Sequence, residues 1–155
     1  MKKKHRNRKS AAQRVEQTAQ RLARAHTRDL GTTDPQDRRP VEASVRLLAE
    51  HLPCEGGRIN WEAIDVPGFF ALLDEWSRYD QERLALNLMG FYYWLCVQHL
   101  ASVRDVAEIL DELAAQFPES VTLSLLHRCS MIGLAGGMDA VLASGQSAGD
   151  RTALN

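Results

Sequence analysis

Residues 84–97 read Leu-Ala-Leu-Asn-Leu-Met-Gly-Phe-Tyr-Tyr-Trp-Leu-Cys-Val. On a helix these side chains cover nearly every side with apolar groups, and such a helix is stable only when other elements surround it. The stretch is interrupted by Asn87 and flanked by Arg83 and Gln98, short of the roughly 18 apolar residues that a membrane-spanning helix needs. It is therefore expected at the centre of an all-α domain, in a helix over about 81–100 that Asp80 caps.

Outward from this helix, the remaining segments supply amphipathic partners. Upstream, Val41, Val45, Leu48 and Leu52 recur at spacings of four, three and four, one seam of a helix that opens near Pro40 and ends before Pro53. Residues 53–58 read as a loop, and Asp65-Val66-Pro67 reopens a helix carrying Phe69, Phe70, Leu72, Leu73 and Trp76. Downstream, Ser102 with Asp105 three residues on resembles a capping box for a helix bearing Val106, Ile109, Leu110, Leu113 and Phe117, stopped at Pro118. A last helix over about 119–132 offers Val121, Leu125, Leu126, Cys129 and Ile132 to the core. Gly133, Gly136 and Gly137 then loosen the chain, residues 138–143 form a short docking turn, and residues 144–155 are a frayed tail. No segment alternates apolar and polar residues as a half-buried strand would. The expectation is a compact bundle of about five helices over residues 35–137, with an arm and hinge at 1–34 and a turn and tail at 138–155.

Charge is distributed unevenly along the chain. Residues 1–28 carry ten basic side chains against Glu16 alone, a net of +9, and residues 29–155 carry nine arginines against nineteen acids, a net of −10. The overall charge of −1 conceals this polarity. A basic segment joined to an acidic body suggests an arm for a polyanion. Residues 1–9 have no apolar side chain after Met1 and are expected to be disordered alone. Residues 10–28 can form a helix, with Arg14, Gln17, Arg21, Arg24 and Arg28 on one arc and Ala11, Ala12, Val15, Ala19, Leu22 and His26 on the next. Gly31-Thr32-Thr33-Asp34-Pro35 serves as a hinge.

The candidate phosphate-binding groups are Lys2, Lys3, Lys4, Arg6, Arg8, Lys9, Arg14, Arg21, Arg24 and Arg28. Such cations displace counterions condensed on nucleic acid, and guanidinium forks suit phosphate oxygens. The arm holds no aromatic residue for base stacking, so affinity is expected to be electrostatic and weakly sequence-selective.

Ser102-Val103-Arg104-Asp105-Val106-Ala107-Glu108-Ile109-Leu110 resembles the first helix of a helix-turn-helix DNA-binding motif, which would imply a reading helix close behind. The resemblance covers nine residues. Asp111-Glu112-Leu113-Ala114-Ala115 continues the helix where that family turns, and the following helix offers only His127 and Arg128 to a base or phosphate.

Other constellations are weaker. His51-x-x-Cys54 and His127-x-Cys129 hold zinc-ligand residue types, but residues two apart on a helix point about 200° apart, so no metal is expected. Phe91-Tyr92-Tyr93-Trp94 points in four directions and is read as core, with the tyrosine hydroxyls at its edge. Asp74, Glu75, Asp80 and Glu82 around Trp76 and Tyr79 are read as a capped helix junction. There is no Gly-rich phosphate loop with Lys, no His-Glu-x-x-His and no Gly-x-Ser-x-Gly, and no cofactor is expected. Three cysteines, an odd number, read as reduced thiols in a cytoplasmic protein, and the preference for arginine after residue 9 points to GC-rich, bacterial coding.

These readings converge on a non-enzymatic helical accessory subunit. It would bind RNA or DNA phosphates through its arm and meet a protein partner through its acidic body. The alternative is a protein–protein adaptor or regulator whose arm docks on an acidic protein surface.

Overall fold

The computed structural model describes the backbone of residues 10–146 and the side chains of residues 10–136. The fold is all-α. Among the described residues it comprises six α-helices, one short 3-10 turn and a minimal β-hairpin, and the chain divides into two compact units, Met1–Asp65 and Val66–Asn155.

In the first unit, α1 spans Ala11–Asp29 and α2 spans Pro35–His51. Ser10 and Gln13 form a reciprocal capping box: the Gln13 amide N–H donates to Ser10 Oγ at 3.2 Å, and the Ser10 amide N–H to Gln13 Oε1 at 3.0 Å. Two orphan N–H groups at the helix start are thus satisfied. Between α1 and α2 the segment 30–34 is too short to let the helices part, so they lie side by side and antiparallel. Ala19, Ala23, His26 and Thr27 from α1 are buried, as are Ser44, Val45, Leu48 and Ala49 from α2. The residues expected to act as a hinge are therefore the turn of a helical hairpin.

α2 begins five residues earlier than Pro40. Asp34 caps it by accepting the Gln36 amide N–H at 2.8 Å, and Pro35 occupies the first helical position, where its missing N–H costs nothing. Pro40 then lies inside the helix, forfeiting one backbone bond, and Ser44 Oγ donates to its carbonyl at 2.7 Å. Of the expected seam, Val45, Leu48 and Leu52 are buried and Val41 is half-buried.

The loop at 53–58 contains a hairpin of two-residue strands, β1 (Cys54–Glu55) and β2 (Arg58–Ile59), paired antiparallel. Gly56 and Gly57, at φ of 58° and 83°, form its turn, the double left-handed conformation that tight hairpins demand. Two paired residues are too few to show an alternating pattern. A 3-10 turn at Trp61–Ala63 follows, with Trp61 buried.

In the second unit, α3 (Val66–Ala71) lies against α5 (Val103–Ala115), while α4 (Arg78–Val97), α5 and α6 (Val121–Gln146) pack on one another. α4 is buried on nearly every side, through Leu84, Ala85, Leu88, Met89, Phe91, Tyr92, Trp94, Leu95 and Cys96. Tyr92 is fully buried rather than at the edge of the core. Phe91 stacks on Trp94 with centroids 5.9 Å apart. Burial pushes the Cys96 thiol up from its ordinary pKa, which leaves it inert.

Ser77, not Asp80, caps α4. Ser77 Oγ accepts the Asp80 amide N–H at 3.1 Å and donates to Asp80 Oδ2 at 2.8 Å, so Asp80 is the third-residue partner of the cap. Ser102 and Asp105 repeat this arrangement on α5 at 3.1 and 2.7 Å. At its other end α4 closes through His99, a non-glycine residue at φ 59°. The Leu100 N–H reaches the Leu95 carbonyl at 2.8 Å and the His99 N–H the Cys96 carbonyl at 3.0 Å, the two crossed bonds of a Schellman motif.

α6 departs most from expectation. It continues unbroken to Gln146 through Gly133, Gly136 and Gly137, so residues 138–143 are helix rather than a turn. The part of the expected tail beyond residue 146 lies outside the described residues. The buried face of α6 is Leu123, Ser130 and Leu134, while Val121 (74% exposed), Leu125 (56%) and Ile132 (73%) face outward, as does Cys129. Small residues explain both results. A Cβ on Gly133 would strike the Tyr93 ring and hydroxyl, so this glycine lets α4 approach α6 closely, and Ser130 is buried on the same side. Hydrophobicity alone points to the opposite, more apolar face.

Candidate nucleic-acid interface

The helical hairpin α1–α2 creates a groove of about 830 Å³. From α1 it is lined by Gln17, Gln20, Arg21, Arg24, Ala25 and Arg28, and from α2 by Pro35, Arg38, Arg39 and Glu42. Each set follows helical spacing, so the groove is the meeting of two helix faces. Five guanidinium groups and one carboxylate line it, and arginine remains protonated at any physiological pH.

These charges are hardly neutralised within the protein. Among the described residues, no carboxylate lies within ion-pair distance of Arg21, Arg24, Arg38 or Arg39. Arg28 reaches Asp29 only at 3.7 Å, between exposed side chains, a pairing worth little. The walls are held by the packing beneath them. Thr27 Oγ1 donates to the Arg24 carbonyl at 3.1 Å, and Arg46 pairs with Glu16 across the hairpin at 3.0 Å. His26 is buried in the same packing layer, and that burial lowers its pKa to about 4, against a smaller opposing pull from Asp29. His26 is thus held neutral within the packing between the two helices.

Of the expected phosphate ligands, the structure brings Arg21, Arg24 and Arg28 together in the groove. Arg14 is apart from them, its side chain against Gly57 in the hairpin turn. Lys2, Lys3, Lys4, Arg6, Arg8 and Lys9 lie outside the described residues. Arg38 and Arg39 were not expected in the site. The signal for them was the five-residue turn: an antiparallel return carries residues shortly after the turn back over those shortly before it.

No match was found to this chain among protein-family models, curated proteins or solved structures.

Elsewhere, several polar side chains bond to one another or to the backbone. Arg78 lies 4.2 Å over the Phe117 ring, donates to Glu119 Oε1 at 2.8 Å and also donates to the Gln116 carbonyl. The hydrogen bond from Arg78 holds the Glu119 carboxyl below its ordinary pKa. Ser120 Oγ donates to Glu82 Oε1 and accepts the Leu123 N–H at 3.1 Å. Gln81 Nε2 donates to the Leu73 and Trp76 carbonyls at 2.8 and 3.2 Å, so the acidic stretch around Trp76 is a helix junction. His127 Nε2 lies 2.7 Å from Asp111 Oδ1, and His51 Nδ1 lies 2.8 Å from the Leu47 carbonyl. Among the described residues, no three His, Cys, Asp or Glu side chains converge as metal ligands, and no helix is long and apolar enough to cross a membrane.

Proposed function

We propose that this chain is a non-enzymatic accessory subunit that binds nucleic-acid phosphates within a larger assembly, through the α1–α2 groove and the basic residues that precede it. One observation carries the reading: five arginines line a single groove with one carboxylate, and four of them have no ion-pair partner among the described residues. Like charges crowded on two packed helices repel, and a polyanion relieves that repulsion while releasing its own counterions. With no aromatic side chain in the groove, binding is weakly selective for base sequence.

Binding of labelled RNA and DNA across a salt series tests this. Replacing Arg21, Arg24 and Arg28 by glutamine should weaken binding to every sequence and reduce the log–log salt slope by about one for each phosphate no longer neutralised. An unchanged slope, or no binding by the native chain at low salt, would overturn the proposal. A second reading, a protein adaptor, is favoured by the apolar residues Val121, Leu125 and Ile132 that α6 leaves exposed. The two are compatible if the acidic second unit meets protein while the basic first unit meets nucleic acid.

A further inference from the structure

We infer that the junction between α3 and α4 is a docking surface for the basic residues 2–9 of a second copy of this chain, a reading that does not depend on nucleic-acid binding. Of residues 71–80 only Leu73 is buried. Three large apolar or aromatic side chains in this short stretch are left to solvent: Leu72 (66% exposed), Trp76 (42%) and Tyr79 (65%). Asp74 and Glu75 lie between the first two in the chain and are also exposed. Among the described residues, neither has a basic side chain within ion-pair distance. Exposed apolar groups bordered by charge mark interaction surfaces.

The backbone of this surface is fixed in advance. The Leu73 N–H donates to the Phe70 carbonyl and the Trp76 N–H to the Leu73 carbonyl, each at 3.0 Å. The Gln81 side chain then ties the Leu73 and Trp76 carbonyls to α4. An occupant has no loop to order here, which lowers the cost of binding.

Charge selects the occupant. Residues 71–83 hold four acids against two arginines, a net of −2, and Arg78 is already paired with Glu119. Exposed rings can stack on bases, but carboxylates beside them repel phosphate. A cationic segment suits both parts of the surface. Lysine and arginine lay apolar stems along side chains such as Leu72 while their heads reach carboxylates, and a cation over an aromatic face gains further attraction. The second unit already uses this chemistry. The Arg83 guanidinium lies 5.7 Å over the Tyr79 ring and donates to its hydroxyl at 3.1 Å, and Arg78 lies over Phe117. The densest cationic run in the chain is Lys2-Lys3-Lys4-His5-Arg6-Asn7-Arg8-Lys9, six positive charges in eight residues with no acid. Each copy brings one such run and one such surface, so the two are always present in equal amount.

The test reads Trp76 in the full chain. Trp61 and Trp94 are buried, so acrylamide quenching of tryptophan fluorescence reports mainly on Trp76. In dilute salt, raising the protein concentration should reduce quenching, and added salt should reverse that shielding. A synthetic peptide of residues 2–9, titrated into dilute protein, should shield Trp76 in the same way. At about 0.1 M salt, where screening confines charge effects to about 10 Å, Asp74→Asn with Glu75→Gln should weaken the peptide about fivefold. Glu108→Gln with Glu112→Gln, which removes the same charge from α5, should change its binding less than about twofold. Quenching that is independent of concentration, shielding that survives dilution, or equal weakening by the two pairs of substitutions would overturn the inference. Should the Asp74 and Glu75 variant lose helical content by circular dichroism, peptide shielding of Trp76 in the native chain decides, and its absence would overturn the inference as well. Each of these failures leaves the nucleic-acid reading intact.

Discussion

His26 makes the first unit sensitive to acid in a way that can be calculated. Its side chain is 1% exposed, and burial lowers its pKa from 6.5 to about 4. The folded state therefore holds the neutral imidazole, whereas the unfolded chain takes up a proton below pH 6.5. Because the unfolded state binds more protons in this window, stability falls as pH falls from 6.5 toward 4, with no contribution above it. The drop from 6.5 to about 4, at about 1.36 kcal/mol per pH unit, sets the full loss at about 3 kcal/mol, with about 2 kcal/mol already lost at pH 5. Carboxylates also titrate near the bottom of this range, so the comparison is with His26→Gln, which cannot take up the proton. Urea unfolding of both proteins at pH 7 and pH 5 should show the native chain losing about 2 kcal/mol more than the variant. An NMR titration of the imidazole protons supplies the direct reading. A His26 midpoint near 6.5, or equal pH dependence in the two proteins, would refute the reasoning.

Two further substitutions test the second unit. Alanine is ordinarily favoured over glycine inside a helix by about 1 kcal/mol, yet Gly133→Ala should destabilise the protein by about 1–3 kcal/mol because its Cβ meets Tyr93. Part of that loss should return in the Tyr93→Phe background, as thermal unfolding of the four proteins will report. His99→Gly, by contrast, should stabilise by up to about 1 kcal/mol, since residue 99 closes α4 at φ 59° where a Cβ is costly; a lower midpoint in urea would count against that assignment.

The central helix was the most legible part of the chain. A stretch apolar on all sides has one physical solution, burial, and α4 adopts it. The Ser102 cap and the seam of Val45, Leu48 and Leu52 were also local patterns with local causes. What could not be read from such patterns depended on a partner element. Whether α6 buries Leu123 and Leu134 or Val121 and Ile132 is decided by where small residues admit α4, and no periodicity within α6 encodes that. Pro40 was misplaced because it too suits a helix start, and Asp34-Pro35 offers the better one. The candidate site was half legible. Composition located Arg21, Arg24 and Arg28, but Arg38 and Arg39 join them only once the hairpin closes.

The division into two units also separates the charge. Residues 1–65 hold fourteen basic side chains against nine acidic ones, a net of +5, and residues 66–155 hold five against eleven, a net of −6. A protein near its isoelectric point of about 6.5 ordinarily loses the repulsion that keeps copies apart. Here near-neutrality comes from six positive charges in residues 1–9 set against residues 10–65, which sum to −1, and residues 66–155, which sum to −6. In dilute salt the six positive charges of residues 1–9 in one molecule are expected to attract the acidic second unit of the next, and at physiological ionic strength a screening length of about 8 Å cuts that attraction off. Ionic strength as well as pH is therefore expected to set how readily copies associate, and a polyanion bound to the basic segment would remove the positive half of that attraction.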